Sequence, residues 1–230
     1  MAKVIVASSI PPQALKQLEK QFELVLFQTE EITYSAISNH PDVFICPFGE
    51  QLITAENLPQ PMKHAFQTQD LNYKEGSLPI GLRYPESAHF NAVVTPMYFI
   101  HNLNHTDPIL LARHSDKTHI HVNQAYTRCN LLDLRDDWFI TSDLGIEKNL
   151  LSYSLHVLYV NPQGILLPGF KHGFFGGTCG IYENTVYFIG DLSHHPQGDQ
   201  VNELLLNLGY QINYLYDGPL FDGGSLFFIQ

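Results

Sequence analysis

Residues 173–193, Gly173-Phe174-Phe175-Gly176-Gly177-Thr178-Cys179-Gly180-Ile181-Tyr182-Glu183-Asn184-Thr185-Val186-Tyr187-Phe188-Ile189-Gly190-Asp191-Leu192-Ser193, carry the pattern that decides the fold. The stretch reads as loop, strand, tight turn, strand and helix entry. Glu183-Asn184 separates two apolar-rich runs, where a two-residue hairpin turn falls. Val186-Tyr187-Phe188-Ile189 is β-branched and aromatic, the composition of a buried strand. Gly190 ends it, and Asp191 and Ser193 offer side-chain oxygens to cap a helix expected around 199–207. Cys179 stands in the first strand, just after the Gly176-Gly177 pair.

The unit recurs. Val4-Ile5-Val6 leads into Ala7-Ser8-Ser9, Val43-Phe44-Ile45 into Cys46-Pro47-Phe48-Gly49-Glu50, and Tyr98-Phe99-Ile100 into His101-Asn102-Leu103. Trp138-Phe139-Ile140 leads into Thr141-Ser142-Asp143, and Tyr187-Phe188-Ile189 into Gly190-Asp191. Counted on the closing Val6, Ile45, Ile100, Ile140 and Ile189, the intervals are 39, 55, 40 and 49 residues. Most lie near the period of repeat architectures. The longest interval holds 56–90, rich in Pro, Gln, Asn and charge, which is expected to be a surface excursion within one domain spanning 1–230. Gly223-Gly224-Ser225-Leu226 echoes Gly176-Gly177-Thr178-Cys179. A chain that begins in the second half of a unit and ends in the first half closes a ring by pairing its terminal strands, leaving few bare sheet edges. The expected fold class is α/β, a pseudo-fivefold β/α propeller of strand–strand–helix–strand repeats.

The totals narrow the function. The 230 residues are 44% hydrophobic and 15% charged, a globular composition. A net charge of −11 argues against nucleic-acid or anionic-membrane binding, which needs clustered Lys and Arg; an acidic surface suits cationic or neutral small partners, and solubility alone accounts for it as well. Three cysteines, an odd number with no close pairing, point to a reducing compartment, so a cytoplasmic protein is expected. No apolar run reaches bilayer-spanning length, so no membrane partner is expected. The composition says nothing of oligomeric state.

Five such units in a ring resemble the pentein fold of the guanidine-modifying enzymes, namely the arginine and agmatine deiminases, dimethylarginine hydrolases and amidinotransferases. Tyr98-Phe99-Ile100-His101-Asn102-Leu103, Tyr126 with Cys129, Ile140-Thr141-Ser142-Asp143-Leu144-Gly145-Ile146 and Gly176-Gly177-Thr178-Cys179-Gly180 resemble an uncharacterised bacterial family assigned to that fold. The resemblance implies a cysteine-dependent hydrolase or transferase acting on a guanidino- or amidine-like substrate. The enzymes' nucleophilic cysteine follows a Gly-rich run like Gly223-Gly224, but here Phe228 stands where the thiol would be. Nor does a His-x-Asp or His-x-Glu pair fall on a strand as in those enzymes. The alternative is a non-catalytic pentein that binds a ligand or macromolecule, as the ribosome-binding translation factor of this fold does.

Cys179 is the candidate nucleophile, because adjacent glycines permit close approach of a ligand or another backbone. The competing reading is a small buried hydrophobe, since Cys179 shares a strand face with Ile181. Cys129 falls at the equivalent position one repeat earlier, to within one residue, and with Tyr126 joins the binding set. Glu50, His101, Asn102, Asp143 and Asp191 follow equivalent strands and are expected to gather at one end of the axis. Carboxylates there would grip a guanidinium, and Asp143 or His101 would serve in catalysis; the competing reading of Asp143 and Asp191 is helix capping. His119-x-His121 lacks a nameable third ligand, so neither a metal nor a cofactor is expected.

Overall fold

The computed structural model describes residues 1–229, arranged as five three-stranded sheets of one design. In chain order the elements are β1 (Lys3–Ala7), α1 (Pro12–Leu18), β2 (Glu23–Phe27), α2 (Pro41–Phe44), β3 (Ile45–Phe48), β4 (Gln51–Thr54), α3 (Gln60–Thr68), β5 (Tyr73–Glu75), β6 (Val93–Val94), β7 (Tyr98–His101) and α4 (Pro108–Arg113). There follow β8 (Thr118–His121), α5 (Thr127–Asn130), β9 (Leu131–Asp133), β10 (Trp138–Thr141), α6 (Leu144–Ser152), β11 (His156–Tyr159), β12 (Cys179–Tyr182), β13 (Thr185–Phe188), α7 (Gly198–Asn207), β14 (Gln211–Tyr214) and β15 (Phe227–Ile229).

Each blade holds a central strand with an antiparallel neighbour on one side and a parallel neighbour, reached through a helix, on the other. The orders are β15-β1-β2, β3-β4-β5, β6-β7-β8, β9-β10-β11 and β12-β13-β14. Ring closure takes the expected form, with Lys3 opposite Ile229 and Ile5 opposite Phe227 in an antiparallel pair. The hairpin turn also stands as read, with Glu183 at φ 53° between β12 and β13.

Helix entry follows local chemistry. Pro12, Pro61 and Pro108 occupy first-turn positions, where the missing N–H breaks no helical bond. Asp107 and Asp143 cap α4 and α6 by accepting from the N–H of Ile109 at 2.8 Å and Ile146 at 2.9 Å. Four helices bury a pair four residues apart against the sheets: Ala14 and Leu18, Met62 and Phe66, Ile146 and Leu150, Val201 and Leu205. No helix among the described residues is long and apolar enough to cross a membrane.

The second repeat differs from expectation. Val43-Phe44-Ile45 is not a central strand but a helical turn entering the antiparallel strand β3, apolar because it is buried in the core. The central strand is Gln51-Leu52-Ile53-Thr54. Central strands therefore end at Ala7, Thr54, His101, Thr141 and Phe188, giving intervals of 47 (7 to 54), 47 (54 to 101), 40 (101 to 141) and 47 (141 to 188). The stretch 56–90 contains α3 and β5, which complete the second blade, and buries Ile80, Ser87, Ala88 and Phe90.

Candidate functional site

The chain enters each antiparallel strand through a tight segment at one end of the sheets. These segments are α2 before β3, residues 90–92 before β6, α5 before β9, the 3-10 turn Gly176–Thr178 before β12, and residues 222–226 before β15. They converge. Asp42 Oδ2, from α2, accepts from Cys129 Sγ of α5 at 3.1 Å and lies 3.1 Å from Ser225 Oγ. Asn91 holds the cysteine in place: its Oδ1 accepts from Cys129 N at 3.1 Å, and its Nδ2 lies 3.2 Å from Sγ while bonding the Asp42 carbonyl at 2.9 Å. Asp222 accepts from Phe174 N at 2.9 Å and Gly224 N at 3.2 Å. His40 Nδ1 sits 3.7 Å from Asp222 Oδ1, too far for a hydrogen bond. His40 Nδ1 and Asp42 Oδ1 have no hydrogen-bond partner among the described residues.

The two Gly-Gly pairs explain how such crowding is built. A β-carbon on Gly177 would fall 2.0 Å from Asp222 Oδ1, and one on Gly224, at φ +71°, would fall 2.4 Å from His40 Cβ. The glycines thus admit Asp222 and His40.

Above the cluster lies a cavity of about 190 Å³. His40, Cys129 and Asp222 form its polar end; Tyr34, Tyr126, Phe170 and Phe174 supply an aromatic wall. Tyr34 and Phe170 rings lie 5.7 Å apart, and the Tyr34 hydroxyl donates to that of Tyr126 at 3.1 Å. Tyr126 is tied in turn to Ser87 Oγ. An apolar enclosure with a few convergent polar groups is the usual form of a small-molecule site.

The site's groups are all buried, at 0% exposure for Asp42, 1% for Asp222, 2% for His40 and 3% for Cys129, and desolvation dominates their ionisation. Burial pushes Asp42 up, with His40 pulling the other way. Burial raises the Cys129 thiol well above its ordinary value, and the nearby Asp42 and Asp222 charges raise it further. Burial takes Asp222 up to about 7 against the pull of two backbone N–H groups, and takes His40 down. A positive charge entering the cavity reverses the penalty on the carboxylates and the thiolate together.

Of the residues singled out from sequence, Cys129 and Tyr126 line this cavity. Cys179 does not: it is fully buried in the core, and burial pushes its thiol up to about 12. Its Sγ faces the carbonyls of Phe175 and Gly176 at 3.8 and 3.9 Å, neither of which can act as a base. Candidacy for the nucleophile therefore passes from Cys179 to Cys129. The two are offset by two residues rather than one, because Leu131, not Cys129, pairs with the last residue of its central strand, as Cys179 does with Phe188.

The other loop residues are engaged in the scaffold and do not line this cavity, although Asp143 shares an open surface pocket with Tyr126. Asp143 caps α6, and Asp191 accepts from Ser193 N at 2.7 Å. His101 is buried with Nε2 donating to the Ala125 carbonyl at 2.8 Å and Nδ1 2.7 Å from Thr106 Oγ1; burial takes it down to about 4. Asn102 bonds the Asn123 carbonyl at 2.8 Å. Glu50 lies in the β3–β4 turn at the opposite mouth of the ring, where a 400 Å³ pocket is also lined by Asp133, Glu183 and Arg128. That turn precedes the central strand instead of following it.

His40, Asp42, Asn91, Asp222, Ser225 and Tyr34 were not singled out by sequence. One signal was present: His40-Pro41-Asp42 is a His-x-Asp pair, set in a helical turn rather than on a strand.

Over residues 5–227 the sequence matches the model of a family of unknown function, DUF6873, and the chain belongs to that family. A search of curated proteins finds no match. Solved structures similar to the chain include a Cys-to-Ser mutant of DDAH from Pseudomonas aeruginosa complexed with citrulline, at TM-score 0.52 and 8% identity over 92% of this chain and 91% of that one. SxtG, an amidinotransferase from Microseira wollei, gives 0.55 and 12% identity over 92% and 87%. A Cys-to-Ser agmatine deiminase from C. jejuni with substrate bound gives 0.56 and 8% over 93% and 87%. These likenesses establish the pentein fold.

Proposed function

We propose that this member of the family acts through the Cys129 thiol on a small cationic substrate of the guanidine or amidine class. The observation that carries the reading is the 3.1 Å contact between Cys129 Sγ and the buried Asp42 carboxylate at the polar end of an aromatic-walled cavity. A planar cation fits such a wall by cation–π attraction, and Asp222 offers it a carboxylate. With the cation bound, the thiol proton passes to Asp42 Oδ2 and Sγ forms a bond to the amidine carbon. The C–N bond to the leaving nitrogen then breaks, and that nitrogen takes the proton held by Asp42. Water, or an acceptor amine in a transferase, then displaces the sulfur. The neighbours named for citrulline, agmatine and amidino transfer support this substrate class.

The test is mass spectrometry of the folded protein after incubation with a haloacetamidine, alongside a screen of guanidines and amidines for released ammonia or amine. The expected result is a single adduct on Cys129 and turnover of at least one guanidine. Labelling of Cys129 only after unfolding would sink the reading. The deep burial of Cys129 favours a second reading, ligand binding without turnover. A guanidine that raises the melting temperature but yields no product selects it.

A further inference from the structure

His40, Asp42 and Cys129 each offer a ligand atom within 4.8 Å of the other two, and all three side chains are more than nine-tenths buried. Two atoms of the trio, His40 Nδ1 and Asp42 Oδ1, lack any hydrogen-bond partner among the described residues. A buried polar atom without a partner costs about 1–3 kcal/mol, so two in one cluster ask for an occupant. We propose that these three residues bind one divalent ion of the zinc class, with the fourth coordination position open to the cavity.

The donor set decides the ion. Thiolate and imidazole select zinc, cobalt or nickel over magnesium and calcium, which take oxygen ligands. Sulfur, nitrogen and one carboxylate leave a tetrahedral ion one position short, the pattern of sites that exchange a ligand. Spacing is compatible: ligands about 2.0 and 2.3 Å from a tetrahedral ion stand about 3.5 Å apart, and the trio's ligand atoms lie within 4.8 Å of one another, with Asp42 Oδ1 left for the ion while Oδ2 accepts from Ser225 Oγ. Charge balances, because an ion of charge +2 meets one carboxylate and one thiolate. The thiol proton leaves to solvent as the metal–sulfur bond forms. Supporting bonds are in place, from Ser225 Oγ to Asp42 Oδ2 and from Asn91 Nδ2 to Cys129 Sγ. The cavity touches His40 and Cys129, giving the ion a way in.

The probe is Co²⁺, titrated into the chelator-treated full-length chain. The expected result is a thiolate-to-cobalt charge-transfer absorption that saturates at one ion per chain, is abolished by Zn²⁺ and is unaffected by Mg²⁺. Cys129→Ser should remove the band, and His40→Gln should weaken binding about 100-fold or more, since losing a ligand exceeds the effect of losing a supporting partner. Cys46→Ser and Cys179→Ser should keep the band, which assigns it to Cys129 even if Cys129→Ser fails to fold. A wild-type chain without the band, or a folded Cys129→Ser chain that retains it, overturns the proposal. The readout needs no substrate; because the ion takes the thiol and carboxylate that the proposed catalysis uses, the metal-loaded chain is expected to resist amidine labelling, and the band and the labelling of the metal-free chain are scored separately.

Discussion

Asp143 and Asp42 lie at the same end of the five sheets, one after a central strand and the other before an antiparallel strand, yet their oxygens meet different fates. Asp143 Oδ1 is held by Ile146 N, Asp191 by Ser193 N, Asn102 by a carbonyl, and His101 at both nitrogens. These outer loops use their polar atoms to start helices and tie strands. The segments before the antiparallel strands are already fixed by the ladder they enter and by glycine-permitted crowding, so Asp42 Oδ1 and His40 Nδ1 have no partner among the described residues. Position at the ring end does not make a site. What marks the candidate site is that unpartnered polar atoms from converging segments meet beside one thiol.

The sharpest break of this comparison is between the two cysteines. Cys129→Ser should lower the rate of amidine adduct formation by about 1,000-fold or more, as loss of a nucleophile does. Cys179→Ser should leave that rate within about threefold while costing about 1–3 kcal/mol for a buried hydroxyl. Peptide-resolved mass spectrometry and a denaturant titration measure both.

Glycines come next. Gly177→Ala should destabilise by about 3 kcal/mol or more, because the added carbon meets the Asp222 carboxylate. Gly145→Ala, beside the capping Asp143, should stay within about 1 kcal/mol, since helix propensity offsets a tighter contact. Chemical-denaturation midpoints of the two variants decide this, and equal losses would erase the distinction drawn above.

His101 tests whether the outer loops are purely structural. Its folded pKa near 4 lies below the ordinary 6.5, so the unfolded chain binds more protons between those values. Stability from His101 is therefore full above pH 6.5 and falls by about 3 kcal/mol on acidification to pH 4. Asp222, up at about 7, contributes the opposite slope, so the His101 effect is read as wild type minus His101→Gln across that window. A flat difference would mean that the ring is already solvated.

The smallest effect is expected from Asp143→Ala, about 1 kcal/mol of lost capping with no change in Cys129 labelling. If labelling also collapsed, the outer ring would belong to the site.

The fold was legible because three copies share the aromatic-Phe-Ile core and the terminal segments echo each other. The second copy departs from the pattern for a physical reason. Its central strand, Gln51-Leu52-Ile53-Thr54, carries no aromatic residue, whereas Val43-Phe44-Ile45 is apolar from packing in the core. Of the residues lining the candidate cavity, the sequence singles out Cys129 and Tyr126 alone. His40-Pro41-Asp42, Asn91 and Asp222–Ser225 come from three distant segments that share no local pattern, and only the ring brings them together. The Gly176-Gly177 pair was a true marker of close approach, but its beneficiary is Asp222, 45 residues on (177 to 222), and not the neighbouring Cys179.

The pairing of β15 with β1 also sets a schedule. On the ribosome β1 emerges early but must wait for residues 227–229 before its sheet is whole, and Asp42 waits equally for Ser225. Ring closure and completion of the candidate cluster around Cys129 are therefore one event, and a chain whose residues 222–229 have not docked holds neither.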